Sequence, residues 1–268
     1  MTASTNSSPG HRERDLLGQT VLVIGGTSGI GLQTARLARA EGADIILTAR
    51  DPDPLYRAGI ELGASIAAFD ATDFGRLERF FDAMPAPIDH LLLSGPGPYY
   101  APLAGFGLDA ARRDLDAHLL LPLLVASGVA GKVRPGGTVL FLGGACDRGI
   151  RDRGAAAGIA FTAALTAALS CVTRDLALEM APVRVNLIVA GGGGMLPAGH
   201  VAGPATLAVH LMTNSAVTGA TFDIDGGQRR AEGLRRITPQ GPSRSPRWAA
   251  PRAWARGSPE GCRGPARE

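Results

Sequence analysis

A chain of 268 residues that is 45% hydrophobic and holds 37 glycines has the size of one α/β domain with tails and is too apolar to be disordered throughout. Its formal charge of +3 does not mark a basic nucleic-acid groove, because residues 231–268 hold eight arginines and three glutamates and leave residues 1–230 at −2. Cys146, Cys171 and Cys262 are too few and too widely spaced for a disulfide framework or a metal knuckle.

From Gln19 onward, β-rich runs alternate with helical periodicity, the pattern of a parallel sheet covered on both faces. Thr20–Ile24 reads as the first strand, Leu32–Glu41 as a helix closed by Gly42, and Ile45–Thr48 as the second strand. Ser65–Phe69 follows as a strand, then a helix from Asp73 to about Ala83, capped by its aspartate and stopped by Pro85 and Pro87. Ile88–Leu93 is the fourth strand. A long helix over Leu108–Val133, kinked near Pro122, leads to a strand at Thr138–Leu142. A second long helix runs from about Ala156 to Met180 and ends at Pro182, before strands at Val183–Val189 and Ala220–Ile224.

The expected fold is therefore α/β, a Rossmann-type doubly wound parallel sheet of about seven strands with helices on both faces. Residues 18–230 form the domain. Residues 1–17 are expected to be a flexible N-terminus, with no apolar run of the signal-peptide kind, and a reducing cytoplasm is the expected compartment. Residues 231–268 collect six prolines among Arg, Gly and Ser and read as a disordered tail. Gly154–Thr173 is free of charge but is built largely of Ala, Gly, Thr and Ser, which fits a helix in a core or subunit contact better than a membrane span.

Between the first strand and the first helix lies Gly25-Gly26-Thr27-Ser28-Gly29-Ile30-Gly31. Glycines in this position let the backbone turn tightly and approach a pyrophosphate, while unpaired amides at the helix start supply donors and a favourable dipole. The second strand exits through Thr48-Ala49-Arg50, where an arginine suits the 2′-phosphate of NADP(H) better than the ribose hydroxyls of NAD(H). Asp51 is the competing residue, since a shift of one register would set its carboxylate on the ribose.

Together these residues resemble the short-chain dehydrogenase/reductase family over roughly Gln19–Gly227. The stretch Leu176–Asn186, the Val217-Thr218-Gly219 turn and Asp225-Gly226-Gly227 match its later signatures in order. The resemblance implies a nicotinamide-nucleotide site with Asp70 on the adenine amino group, Ala71 beside it, and Ser94 and Gly95 at the turn after the fourth strand. It also implies a homo-oligomer, dimer or tetramer, joined through the two long helices.

The match breaks where family members carry out their chemistry. The only lysine is Lys132 and the only tyrosines are Tyr56, Tyr99 and Tyr100, so no tyrosine has a lysine four residues on. Stepping back from Asn186 by the family spacing puts Thr162 and Thr166 in the place of that pair. The serine expected after the fifth strand falls in Leu142-Gly143-Gly144-Ala145, and the asparagine of the long helix corresponds to His118. Carbonyl reduction builds alkoxide charge that needs a proton donor, and a free tyrosine at pKa about 10 serves only because the lysine lowers it. A threonine hydroxyl is far too weak an acid to replace it. The span from Asn186 to Asp225 is also short for the family's substrate lid.

His118, Tyr100 and Tyr99 are the candidate replacements, with Cys146, Asp147 and Asp152 on neighbouring loops. The remaining histidines show no metal-ligand spacing, and no metal is expected. Three functions stay open: an NADP(H)-dependent oxidoreductase acting on a small carbonyl, hydroxyl or enone substrate through a nonstandard proton relay; a nucleotide-binding regulatory protein without turnover; and a lyase, isomerase or cyclase on the same scaffold.

Overall fold

The computed structural model describes residues 15–84, 87–95, 106–144, 159–190 and 201–224. The chain divides after Arg229 into two units, and all described residues lie in the first. Its strands are β1 (Thr20–Ile24), β2 (Asp44–Ala49), β3 (Ser65–Ala68), β4 (Ile88–Ser94), β5 (Val133–Gly144), β6 (Arg184–Ala190) and β7 (Thr221–Ile224). They form one sheet of order β3-β2-β1-β4-β5-β6-β7 in which every pairing is parallel. The order reverses between β1 and β4, which opens a crevice at their carboxyl ends.

Both faces of the central part of this sheet are covered, so its central strands read as continuous apolar runs rather than alternating ones. Along β4, Leu91 and Leu93 turn to one side and join Phe81, Val125 and Phe141 under α3 (Phe74–Asp82), α5 (Leu121–Val129) and α6 (Ile159–Glu179). Leu92 turns to the other side and joins Val21, Ala35, Leu140 and Leu211 under α1 (Gly29–Ala40) and α7 (Ala202–Thr213). Among the described residues one helix, Phe161–Glu179, is long and apolar enough to cross a membrane. It lies on the sheet, with Leu165, Leu169 and Ala177 buried.

Two helices escaped the sequence reading. The first, α2 (Pro52–Leu62), begins at Asp51, whose Oδ1 accepts a hydrogen bond from the Asp53 amide at 3.1 Å. Pro52 and Pro54 look like loop residues, yet proline is tolerated in a first helical turn, where its missing N–H has no partner to lose. The second, α7, starts among Gly203 and Pro204 and packs on α1. The long helix expected over Leu108–Val133 is α4 (Leu108–Leu115), a π-turn at Asp116–Leu120 and α5, which stops at Val129, so that Val133 already belongs to β5. Pro122 has no N–H to give its preceding turn, and the π-turn stands in that place.

The Arg184-Val185-Asn186 signature has a mechanical purpose. The buried Arg184 guanidinium donates to the carbonyls of Leu211, Met212 and Asn214 at the end of α7 and to Gly136 of β5. It satisfies carbonyls that a helix end leaves without intrahelical partners, and its charge suits the negative end of the dipole. The Asn186 amide donates to Val217 O at 3.0 Å and accepts from Ala220 N at 3.1 Å, which sets the turn into β7.

Candidate functional site

The carboxyl ends of β1, β2, β4, β5 and β6 surround a cleft of about 940 Å³. Its floor starts at the glycine loop. Gly25 has φ +86°, and a Cβ there would sit 2.0 Å from the Ser94 carbonyl oxygen, so both conformation and space demand glycine. Gly25 N and Gly26 N both donate to Thr48 O, which lashes the loop to the end of β2. Ser28, extended at φ −157°, precedes α1 without a side-chain cap, so the first amides of that helix are not claimed by its hydroxyl.

Gly25, Thr27, Ser28, Gly29 and Ile30 line the cleft, and so do Arg50, Asp70, Ala71, Ser94 and Gly95. Gly31 stands behind the wall instead. A Cβ on it would lie 2.4 Å from Gly25 O and 3.1 Å from the Ser94 Cβ, so this glycine brings helix and strands together rather than touching a ligand. The cradle therefore fits a dinucleotide: backbone where a pyrophosphate needs close approach, and no side chain filling the turn.

At the end of the cleft formed after β2 and β3, Asp70 Oδ1 accepts from Thr72 N at 2.9 Å and Thr72 Oγ1 at 2.7 Å, an arrangement that holds the carboxylate at the rim. Arg50 is exposed beside it. Asp51 also lines the cleft, and its Oδ1 is engaged as the cap of α2. The sequence reading missed Arg36, which reaches the cleft from α1. Its guanidinium is held by Glu61 of α2 through Nε–Oε1 at 2.6 Å and Nη2–Oε2 at 2.9 Å. That bond holds the exposed Glu61 carboxyl below its ordinary range. The available signal was the α1 face Gly29, Leu32, Gln33, Arg36, spaced to one side of a helix.

The other end of the cleft is bounded by Leu121, Leu142, Gly143, Gly144 and Ala190. Thr162 and Thr166 stand on α6 against it: Thr166 Oγ1 lies 2.9 Å from Gly144 O and 3.0 Å from Thr162 O, and Thr162 is buried. His118 does not line the cleft. It is buried in the π-turn, three residues before Leu121, which does, and its Nε2 lies 3.3 Å from Asp114 Oδ1. Tyr99, Tyr100, Cys146, Asp147 and Asp152 lie outside the described residues. Cys171 is exposed on α6. Among the described residues no three His, Cys, Asp or Glu side chains come together as metal ligands.

A doubly wound parallel sheet with a glycine cradle at its switch point defines a nucleotide-binding α/β protein of the Rossmann type. A family model described as enoyl-(acyl carrier protein) reductase matches residues 25–203. The chain belongs to the short-chain dehydrogenase/reductase family. It is 27% identical over 254 residues to the short-chain dehydrogenase/reductase ATR9 of Stachybotrys chlorohalonatus, covering 78% of this chain and 96% of that one. Among solved structures, BdcA in complex with NADPH aligns at 25% identity and TM-score 0.69 over 79% of this chain and 95% of its own. The citronellol catabolism dehydrogenase AtuB of Pseudomonas aeruginosa PAO1 aligns at 26% identity and TM-score 0.68, over 80% of this chain and 96% of its own.

Proposed function

We propose that this chain is an NADP(H)-binding oxidoreductase that acts on a small carbonyl, hydroxyl or enone compound and delivers its proton by a route other than the family's tyrosine and lysine. The observation that carries the reading is the cradle: a glycine loop in which Gly25 and Gly31 leave no space for a Cβ, with Arg50 and Asp70 lining the same cleft. When bound, a nicotinamide nucleotide supplies hydride to a carbonyl carbon or accepts it. Unclaimed amides at the start of α1 hold the pyrophosphate, Asp70 the adenine, and Arg50 the 2′-phosphate.

Proton delivery falls to His118, buried in the π-turn three residues before the cleft-lining Leu121. Helices between parallel strands run back against them, so α4 begins at the cleft side of the sheet and His118 lies nearer that side than Leu121. Its proton reaches the substrate oxygen through one intervening hydroxyl or water. A second copy of the chain suits the neighbouring surface, where Leu120, Leu123 and Leu124 of the π-turn and α5 are exposed.

Isothermal titration with NADPH and NADH, followed by a panel of carbonyls and enones monitored for NADPH oxidation, tests the reading. NADPH is expected to bind about tenfold more tightly than NADH, the size of one charge-assisted contact, and Arg50→Ala to remove the difference. Absence of binding by both nucleotides would sink it. Binding without oxidation of NADPH by any compound would instead favour a nucleotide-responsive regulator.

A further inference from the structure

Asp114 and His118 lie one turn apart across the junction of α4 and the π-turn, with side chains only 6% and 10% exposed. Asp114 Oδ1 approaches His118 Nε2 to 3.3 Å, at an angle that does not yet make a hydrogen bond. Among the described elements, those packed most on the π-turn are α4, α5 and α6. Neither α5 nor the Ile159–Thr173 part of α6 carries an Asp, Glu, Lys or Arg, and the Cys171 thiol there is exposed. Among the described residues, the other charges near the pair are on its own helix: Asp109, Arg112 and Arg113, all exposed, and the half-buried Asp116.

Removing a carboxylate and an imidazole from water is costly, and an apolar pair of similar volume would pack the same space without that cost. A π-turn, which Pro122 accommodates here, is likewise an uncommon way to join two helices and is frequent at functional sites. Both oddities occur together, beside the cleft end where Thr162 and Thr166 replace the usual acid. We infer that Asp114 is the positioning residue of a buried acid–base dyad: it orients the His118 imidazole, keeps a proton on Nε2, and leaves Nδ1 to exchange a proton with the substrate oxygen.

The inference rests on the proposed oxidoreductase reading. In the reducing direction the Nδ1–H bond of the imidazolium breaks with its electron pair staying on the ring. The proton passes to the intervening hydroxyl or water, which gives up one of its own so that an O–H bond forms at the substrate oxygen, and solvent later restores the Nδ1 proton. The neutral ring left behind carries its hydrogen on Nε2, which is the tautomer a carboxylate at Asp114 favours.

The test uses the full-length chain with NADPH and a compound it reduces, in wild type, Asp114→Asn, His118→Gln and the double variant. Asp114→Asn should lower turnover about a hundredfold while the NADPH dissociation constant stays within about twofold, and the double variant should lose no more than His118→Gln alone. Two-bond nitrogen–proton correlations on histidine-labelled protein should show His118 as one tautomer in the wild type and a mixture in Asp114→Asn. A packing role alone predicts a lower melting temperature with tautomer and turnover unmoved, and that result would overturn the inference, as would additive losses in the double variant. If the wild type oxidises no NADPH, the oxidoreductase reading fails by itself, while the tautomer measurement still decides whether Asp114 orients the ring.

Discussion

His90 gives the sharpest quantitative prediction. It lies on β4, 2% exposed, with Nε2 2.6 Å from Gln19 Oε1. Burial pushes its pKa down from 6.5 to about 4, against an upward pull from Asp89, with Arg184 adding a smaller downward push. The folded ring therefore stays neutral where the unfolded ring is already protonated, so the unfolded state binds more protons and stability falls as pH drops from 6.5 towards 4. The shift corresponds to about 3 kcal/mol lost across that window, at about 1.4 kcal/mol per pH unit, with no further loss from this group below it. His90→Gln keeps a donor for Gln19 but does not titrate. Urea unfolding of both proteins, followed by circular dichroism at closely spaced pH values from 8 to 4, isolates the contribution, because the carboxylates they share cancel in the difference. The wild type should lead at pH 8 and lose that lead through the window. Parallel stability curves would refute the reasoning.

Replacing Arg184 with alanine should cost about 3–5 kcal/mol, since it strips donors from carbonyls at the end of α7; thermal unfolding reads this directly, and a loss under 1 kcal/mol would contradict it. Gly25→Ala forces a methyl group towards Ser94 O and a strained φ, so it should weaken NADPH binding at least about a hundredfold and lower stability by about 1–3 kcal/mol. Retained affinity in titration calorimetry would show that the cradle is not the ligand site. Leu123→Asp with Leu124→Asp should convert a dimer or tetramer to a monomer in light scattering on a sizing column, and an unchanged mass would exclude this face as the subunit contact.

The central strands were legible because a sheet covered on both faces needs runs of apolar residues, and Thr20–Ile24 is observed with the bounds its sequence predicts. Helix α2 was hidden because Pro52 and Pro54 carry the same local signal in a first turn as in a loop, and only tertiary packing of Leu55, Ala58 and Leu62 separates the two. The π-turn was foreseen as a break near Pro122, but not as the device that buries Asp114 beside His118. Pairing across such a turn depends on a winding that periodicity alone does not encode. Arg36 was missed for a related reason: the helix face that turns it to the cleft was readable, but the Glu61 that holds its guanidinium comes from another helix, and nothing local to residue 36 announces that partner.

Asp51 sits where two demands collide. The same carboxylate that borders the nucleotide cleft starts helix α2, so a substitution made there that cannot cap a helix also loosens the helix that presents Glu61 to Arg36. A designer, or natural selection, is left with Arg50 as the adjustable letter at this rim, and redox-cofactor exchange in this scaffold should travel through that residue while its neighbour stays fixed.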